Sequence, residues 1–258
     1  MFIHMQFVFD LDGTICFEGK PVTEPILYSM EHLTEKGHEV IFASARPIRD
    51  MLPVLHKRFH GYKMVGGNGS LICMNGNVKQ NAEFDDRTLK QIKVLIEEYH
   101  ATYLIDGDWD YSYTGPVDHP ILNNLDTQKL AVNRPLERLE HIVKIAVLTS
   151  FNMESLKKKL ENLDVIIHTH HQEGMLDISP CGIHKWSALQ KLGVQKGKYI
   201  AFGNDVNDIT MFENAQHSVM IGQHPILSHY ADESIEKDSI VEEKIIEKLA
   251  ELDKRFAY

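Results

Sequence analysis

Two carboxylates, Asp10 and Asp12, stand two positions apart in Asp10-Leu11-Asp12-Gly13-Thr14, directly after the apolar run Phe7-Val8-Phe9. A carboxylate so placed can act as a nucleophile, and its neighbour can act as general acid and then as general base. Gly13 permits a sharp turn, which lets amide groups near Leu11 and Asp12 face an anionic ligand, and the Thr14 hydroxyl can hold that turn. The position suits an open α/β sheet, whose reactive groups lie beyond the carboxyl ends of its strands. Alone, the pentapeptide reads equally well as a strand ending in a polar turn. Three later segments argue against that: Ser44-Ala45-Arg46-Pro47, Ile183-His184-Lys185-Trp186 and Gly203-Asn204-Asp205-Val206-Asn207-Asp208.

These segments need elements to carry them. Phe7–Phe9, Val40–Ala43, Tyr62–Val65, Tyr199–Phe202 and Ser218–Ile221 read as short buried strands. Helical spacing falls over Ile26–Leu33, with Thr23 as cap, Pro25 in the first turn and Gly37 past the end. A second helix is expected near 48–59, interrupted at Pro53. Further helices are expected after Lys185, near Asn207 and around 240–249. Strands alternating with helices imply a doubly wound parallel sheet with helices on both faces. In the middle of the chain the pattern changes. Leu71–Met74 and Asn77–Gln80 flank Asn75-Gly76, a hairpin turn. A helix over 89–99, strands at 102–105, 144–148, 165–169 and 175–178, and a helix over 153–163 follow, while 106–140 resists assignment. The expected organisation is an α/β core from residues 1–80 and 183–258, interrupted by a smaller α/β domain over 81–182 with an open sheet.

Composition limits the function. The chain has 258 residues, 43% hydrophobic and 25% charged, with a net charge of −10. That charge argues against nucleic acid as a partner, and an anionic substrate then needs a metal ion or a placed lysine. Cys16, Cys73 and Cys181 form no CxxC pair and read as reduced thiols. No apolar run approaches the ~18 residues of a membrane span, and the first residues lack a signal-peptide pattern. A cytoplasmic protein, monomer or homodimer, with no membrane partner is expected.

Taken in order, the four motifs resemble the haloacid dehalogenase superfamily of phosphohydrolases, most closely the Cof-type, subclass IIB sugar-phosphate phosphatases. The resemblance spans the whole chain, including the inserted block, which would be a C2-type cap. It implies Mg²⁺-dependent hydrolysis of a small phosphorylated metabolite, with Asp10 as nucleophile forming an aspartyl phosphate and Asp12 as general acid and base. Unaided phosphate monoester hydrolysis is slow enough that a barrier reduction on the order of 20 kcal/mol is required, which a covalent intermediate divides. By the same resemblance Lys185 neutralises developing charge, and Leu11, Gly13, Ser44, Ala45, Arg46, Asn68 and Asn207 contact phosphate or substrate. Arg46 fits equally an ion pair bracing its loop, and Asn207 a brace for Lys185. The implied metal ligands are Asp10, the Asp12 main-chain oxygen and the first position of the last loop. That position is Asn204 where relatives carry an acid, so either Asn204 ligates through its carbonyl, or Asp205 swings in, or Asp208 takes over; Asn204 is favoured, with Asp208 binding the ion directly or standing one contact behind it, and weaker metal affinity is expected. Ala45 and Trp186 stand where the family usually has glycine.

The resemblance leaves the substrate open: sugar phosphates lead, with flavin mononucleotide and pyridoxal phosphate as alternatives. A phosphotransferase or mutase, and a low-turnover phosphometabolite-binding regulator, are the competing functions. Asp106-Gly107-Asp108-Trp109-Asp110 begins like a calcium loop but lacks its later glycine and glutamate. It reads as a polar loop that could face the site mouth. His168, His170 and His171 lack the companions of a zinc site and read as substrate contacts or exposed surface.

Overall fold

The computed structural model describes residues 4–170 and 174–256, without the side chains of Gln80, Thr169 and His170. Its larger sheet has eight strands: β1 (Gln6–Phe9), β2 (Glu39–Ala43), β3 (Lys63–Gly66), β4 (Leu71–Met74), β5 (Asn77–Gln80), β11 (Tyr199–Gly203), β12 (His217–Ile221) and β13 (Glu233–Ile235). Their spatial order is β13-β12-β11-β1-β2-β3-β4-β5, so β1 lies between β2 and β11 with the chain winding outwards on both sides. The strands pair in parallel except β3–β4–β5, which form antiparallel hairpins. The tight β4–β5 turn uses Asn75 and Gly76, both at positive φ (52° and 74°).

Alternation along β1 explains why the sheet is covered on both sides. Phe7 and Phe9 pack with Phe42, Ile26, Met30, Ile245 and Leu249 beneath helices α1 (Glu24–Glu35) and α7 (Val241–Phe256). Val8 packs to the other side, with Ile41, Ala201, Leu189 and Met211, beneath α5 (Lys185–Lys191) and α6 (Ile209–Phe212). Thr23 occupies the N-cap position of α1, but its hydroxyl donates to Glu242 Oε2 at 2.7 Å rather than to its own helix. The helix expected over 48–59 is one turn, α2 (Ile48–Met51), followed by a separate 3₁₀ turn at Lys57–Phe59. Pro53 cannot supply the amide that would continue α2.

The middle of the chain builds a second, wholly antiparallel sheet of five strands, ordered β7-β6-β8-β10-β9. Its members are β6 (Thr102–Asp106), β7 (Tyr111–Tyr113), β8 (Lys144–Thr149), β9 (Val165–His170) and β10 (Met175–Pro180). Helices α3 (Asp86–Glu98) and α4 (Met153–Leu160) cover one face, burying Ile105, Ile145, Val147, Leu176 and Ile178 against Ile92, Ile96, Leu156 and Leu160. The segment that resisted assignment supplies β7 and two short 3₁₀ turns, Pro120–Asn123 and Leu136–Arg138. The two segments joining the sheets run side by side, with Ala82–Asp85 and Pro180–Ile183 lining one small recess. No helix among the described residues is long and apolar enough to cross a membrane.

Candidate active site

Asp10 follows the last residue of β1 and is buried, with 4% of its surface exposed. Its amide bonds back to Phe202 of β11, which fixes its height at the sheet edge. The turn beyond it is held by the Leu11 carbonyl, which accepts from the amides of Thr14, Ile15 and Cys16. Gly13 takes φ +79° there, and a Cβ at this position would lie 2.3 Å from Asn204 Nδ2, so only glycine lets the two loops meet this closely.

Asp10 Oδ1 accepts from Lys185 Nζ at 2.6 Å, and Asp10 Oδ2 accepts from Thr14 Oγ1 at 2.9 Å. The Thr14 hydroxyl also stands 3.2 Å from Asn204 Oδ1. It has one proton, so it serves these acceptors in turn. Lys185 is fully buried at the first position of α5, and its ammonium also donates to Asp208 Oδ1 at 2.6 Å. Burial opposes the charge on Lys185, but Asp10 and Asp208 beside it outweigh this and raise its pKa, so the ammonium persists. Burial pushes the Asp10 carboxyl up to about 7, against the pull of Lys185 and with added repulsion from Asp208 and Asp12. Cys16 is not a rival nucleophile: burial, with Asp12 adding to it, lifts its thiol to about 12, and Sγ donates to the Lys20 carbonyl.

Asp12 is half-exposed and faces a cavity of about 320 Å³ lined by both sheets. Arg46 grips it with two bonds of 2.6 Å, Nε to Oδ2 and Nη2 to Oδ1. Of the two expectations for Arg46, the ion pair is the contact it makes, although it also lines the cavity. Ser44 accepts from the Arg46 amide at 3.1 Å, which leaves its hydroxyl proton to donate elsewhere. Ser44, Ala45, Asn204, Asp205 and Asn207 line the same cavity as Asp10 and Asp12. Leu11 packs into the core.

Three of the expected site residues have protein partners that the motifs do not record. Asp208 is fully buried and lies off the cavity. Its Oδ1 holds Lys185, and its Oδ2 accepts from the amides of Asn204 and Asp205 at 2.8 and 3.2 Å. It therefore brackets the lysine and the loop, one contact behind Asn204, which is the second of the two places expected for it. Asn68 is likewise buried off the cavity, and its amide links the sheets: Nδ2 donates to Asp177 Oδ2 at 3.3 Å, and Oδ1 accepts from Asn207 Nδ2 at 3.1 Å. Asn207 thus braces Asn68, not Lys185. His168 pairs in register with Asp177, outside the cavity lining. His171 and the side chain of His170 lie outside the described residues.

The second sheet closes the cavity with residues that no motif marks. Lys144 donates to the Ala45 carbonyl at 2.8 Å and pairs with Asp177 at 3.0 Å. Arg49 of α2, 1% exposed, reaches across to Asp106 Oδ1 at 2.6 Å and to the Trp109 carbonyl at 2.6 Å, with Tyr111 stacked on its guanidinium. Asp106, first residue of the loop that resembled a calcium site, does face the cavity, whereas Asp108 and Asp110 line a separate surface recess. The signal lies in the alternation: Leu104 and Asp106, Lys144 and Ala146, and Met175 and Asp177 share one face of their strands, and charge there breaks an otherwise apolar set.

Residues 7–240 match the family model of haloacid dehalogenase-like hydrolases. Among curated proteins, 5-amino-6-(5-phospho-D-ribitylamino)uracil phosphatase of Bacillus subtilis is 24% identical, over 83% of this chain and 84% of its own. HMP-PP phosphatase of Serratia proteamaculans is 23% identical, over 83% of this chain and 82% of its own. Among solved structures, an HAD subclass IIB sugar phosphatase superposes with a TM-score of 0.77 at 16% identity, covering 96% of this chain and 98% of its own. The match over nearly the whole length, on a fold with this strand order and this buried aspartate, settles the family: the chain belongs to the haloacid dehalogenase-like hydrolases.

Proposed function

We propose that the protein is a phosphatase that hydrolyses small phosphomonoesters, sugar phosphates foremost, through a phosphoryl group carried on Asp10. The observation that carries this reading is the buried Asp10 carboxylate, held between Lys185 and Thr14 at the mouth of β1 and opening onto the cavity shared with Asp12. In the first displacement an Asp10 oxygen bonds to phosphorus while the P–O bond to the leaving group breaks, and Asp12 gives the leaving oxygen its proton. In the second, Asp12 takes a proton from water. The water oxygen bonds to phosphorus, the acyl-phosphate bond breaks, and Asp10 is restored. Lys185, fixed by Asp208, offsets negative charge on the phosphoryl oxygens without moving, which is the useful form of electrostatic stabilisation. Both Asp12 oxygens accept from Arg46 in a two-pronged hold that fixes where the carboxyl group points. Giving up a proton to the leaving group requires Asp12 to loosen from that hold.

The donor chemistry fits Mg²⁺. Asp10 and Asn204 both contact the Thr14 hydroxyl, so two oxygen-bearing side chains meet at one point, and Mg²⁺ favours a few protein oxygens with waters completing its shell. Asp10, the Asp12 main-chain oxygen and Asn204 would hold it. When bound, the ion supplies Lewis-acid polarisation of the phosphoryl group.

The test is a panel of phosphomonoesters with Mg²⁺, assayed by released phosphate beside Asp10→Asn. The parent is expected to release phosphate and the variant to lose nearly all activity. Equal rates in the two proteins would end this reading.

A further inference from the structure

The half of the cavity away from Asp10 has its own electrostatic character. Strand alternation turns Asp106 of β6, Lys144 of β8 and Asp177 of β10 towards it, and α2 adds Asp50. Of the two cations that line the cavity among the described residues, Arg46 grips Asp12 and gives Nη1 to the Asp50 carbonyl at 3.2 Å, and Lys144 is likewise committed. Two of its three ammonium protons go to the Ala45 carbonyl and to Asp177, so the third can meet a hydroxyl while its charge is already balanced. Asp50 and Asp106 share one guanidinium. Arg49 donates to Asp50 Oδ1 and Oδ2 at 3.1 and 2.9 Å and to Asp106 Oδ1 at 2.6 Å, from behind the wall. Two carboxylates on one buried cation leave this half short of positive charge. Asp106 registers the shortage: burial raises its pKa above the usual carboxylate value despite Arg49, and Asp50 adds to the rise. Apart from Asn124, the remaining lining is apolar, from Leu104, Ala146, Met175, Ile121 and Leu125, and suits the C–H face of a compact ring or chain.

A second anion placed here would meet unbalanced carboxylates with little water to screen them, whereas an ammonium would complete the charge count. Resting on the phosphatase reading, we propose that this half of the cavity selects monophosphates whose only anion is the phosphate, favouring an amine-bearing leaving group over a neutral polyol and rejecting one that carries a carboxylate.

The test compares glucosamine 1-phosphate, glucose 1-phosphate and glucuronic acid 1-phosphate, which share a ring and differ in charge. Each is measured as a substrate of the parent protein with Mg²⁺ and as a ligand, by its dissociation constant on the Asp10→Asn chain. The amine ester is expected to bind tightest, and the neutral ester at least about tenfold tighter than the carboxylate ester, the scale of one like-charge contact. Asp177→Asn, which frees the charge of Lys144, and Asp106→Asn, which removes one carboxylate, should each narrow that gap severalfold. Equal dissociation constants across the three esters, a carboxylate ester that binds best, or a gap that neither variant narrows would overturn the proposal. No phosphate release from any ester, with the affinity order intact, would instead remove the phosphatase reading and leave the charge selection standing.

Discussion

At the scale of single residues, the loop after β11 carries an amide, Asn204, where the motif resemblance implies an acid, and the difference has a physical cost. Asn204 brings a neutral amide oxygen to the Thr14–Asp10 contact. Asp208 cannot make up the missing charge, because its two oxygens hold Lys185 and two loop amides. A carboxylate at 204 would add one negative charge beside the proposed Mg²⁺ without changing the side chain's size. Asn204→Asp is therefore expected to lower the Mg²⁺ concentration for half-maximal activity severalfold, with little change in thermal stability. A metal titration of activity checks this, and an unchanged midpoint would show that Asn204 is not a ligand. The motifs made Asp10, Asp12, Lys185 and Asn204 legible because each sits at a strand or helix end whose position the local pattern dictates. The duties of Asn68, Asn207 and Asp208 were not legible. They are decided by partners at Asp177, Asn68 and Lys185, which no local spacing records.

At the scale of elements, two polar clusters join pieces that hydrophobic packing alone would leave free to slide. Helix α2 is one turn long and has no helix stability of its own, yet its Arg49 binds Asp106, Trp109 and Tyr111 of the second sheet. A buried cation that serves two carboxylates cannot be removed cheaply. Arg49→Met should cost about 3–5 kcal/mol, a fall in Tm on the order of 10 °C. Arg49→Lys should recover little of it, since one ammonium cannot reproduce the fork. Thermal unfolding of the two variants checks this, and full recovery by lysine would mean that charge, not geometry, makes the joint. The second cluster ties α7 to the turn after α1: Asp253, buried, accepts from Lys36 and meets His38 Nε2 at 3.2 Å. Burial would raise its carboxyl, but these bonds win and hold it below its ordinary value. A depressed folded pKa gives stability that is present above the unfolded value and lost as pH falls through it, so this contribution fades below about pH 4. Asp253→Asn should be less stable than the parent at neutral pH, and the gap should close on acidification. A gap that is constant with pH would remove Asp253 as its source. Helices and strands with a clear period, such as β4–β5 and α3, agree with their expected spans within a few residues. The one-turn α2 and the short edge strands β7 and β13 carry too few residues for a period to register.

At the scale of the whole molecule, the two sheets have separate apolar cores, and the reactive groups divide between them unequally. Asp10, Asp12, Ser44, Arg46, Lys185 and Asn204 all belong to the larger sheet and its loops, while Leu104, Asp106, Lys144, Ala146, Met175 and Asp177 form the facing wall. Phosphoryl chemistry and leaving-group recognition are thus expected to be separable. The connecting segments 82–85 and 180–183 lie beside each other, so the larger sheet enters and leaves the second one at a single point. Joining residue 82 to residue 183 through a short glycine-serine linker should leave a cooperative fold, because the Phe7, Phe42 and Ile245 layer and the Val8, Ile41 and Leu189 layer both remain whole. Such a chain loses the wall that, on the proposed mechanism, shelters the acyl phosphate from solvent and reads the leaving group. It should still release phosphate slowly from an activated ester such as p-nitrophenyl phosphate, and its kcat/KM should no longer differ between esters that the full chain tells apart. Circular dichroism melting and a paired ester assay on the shortened chain test both halves of the argument. A shortened chain that keeps the parent's discrimination would place recognition in the larger sheet, and one that never folds would show that the two cores depend on each other.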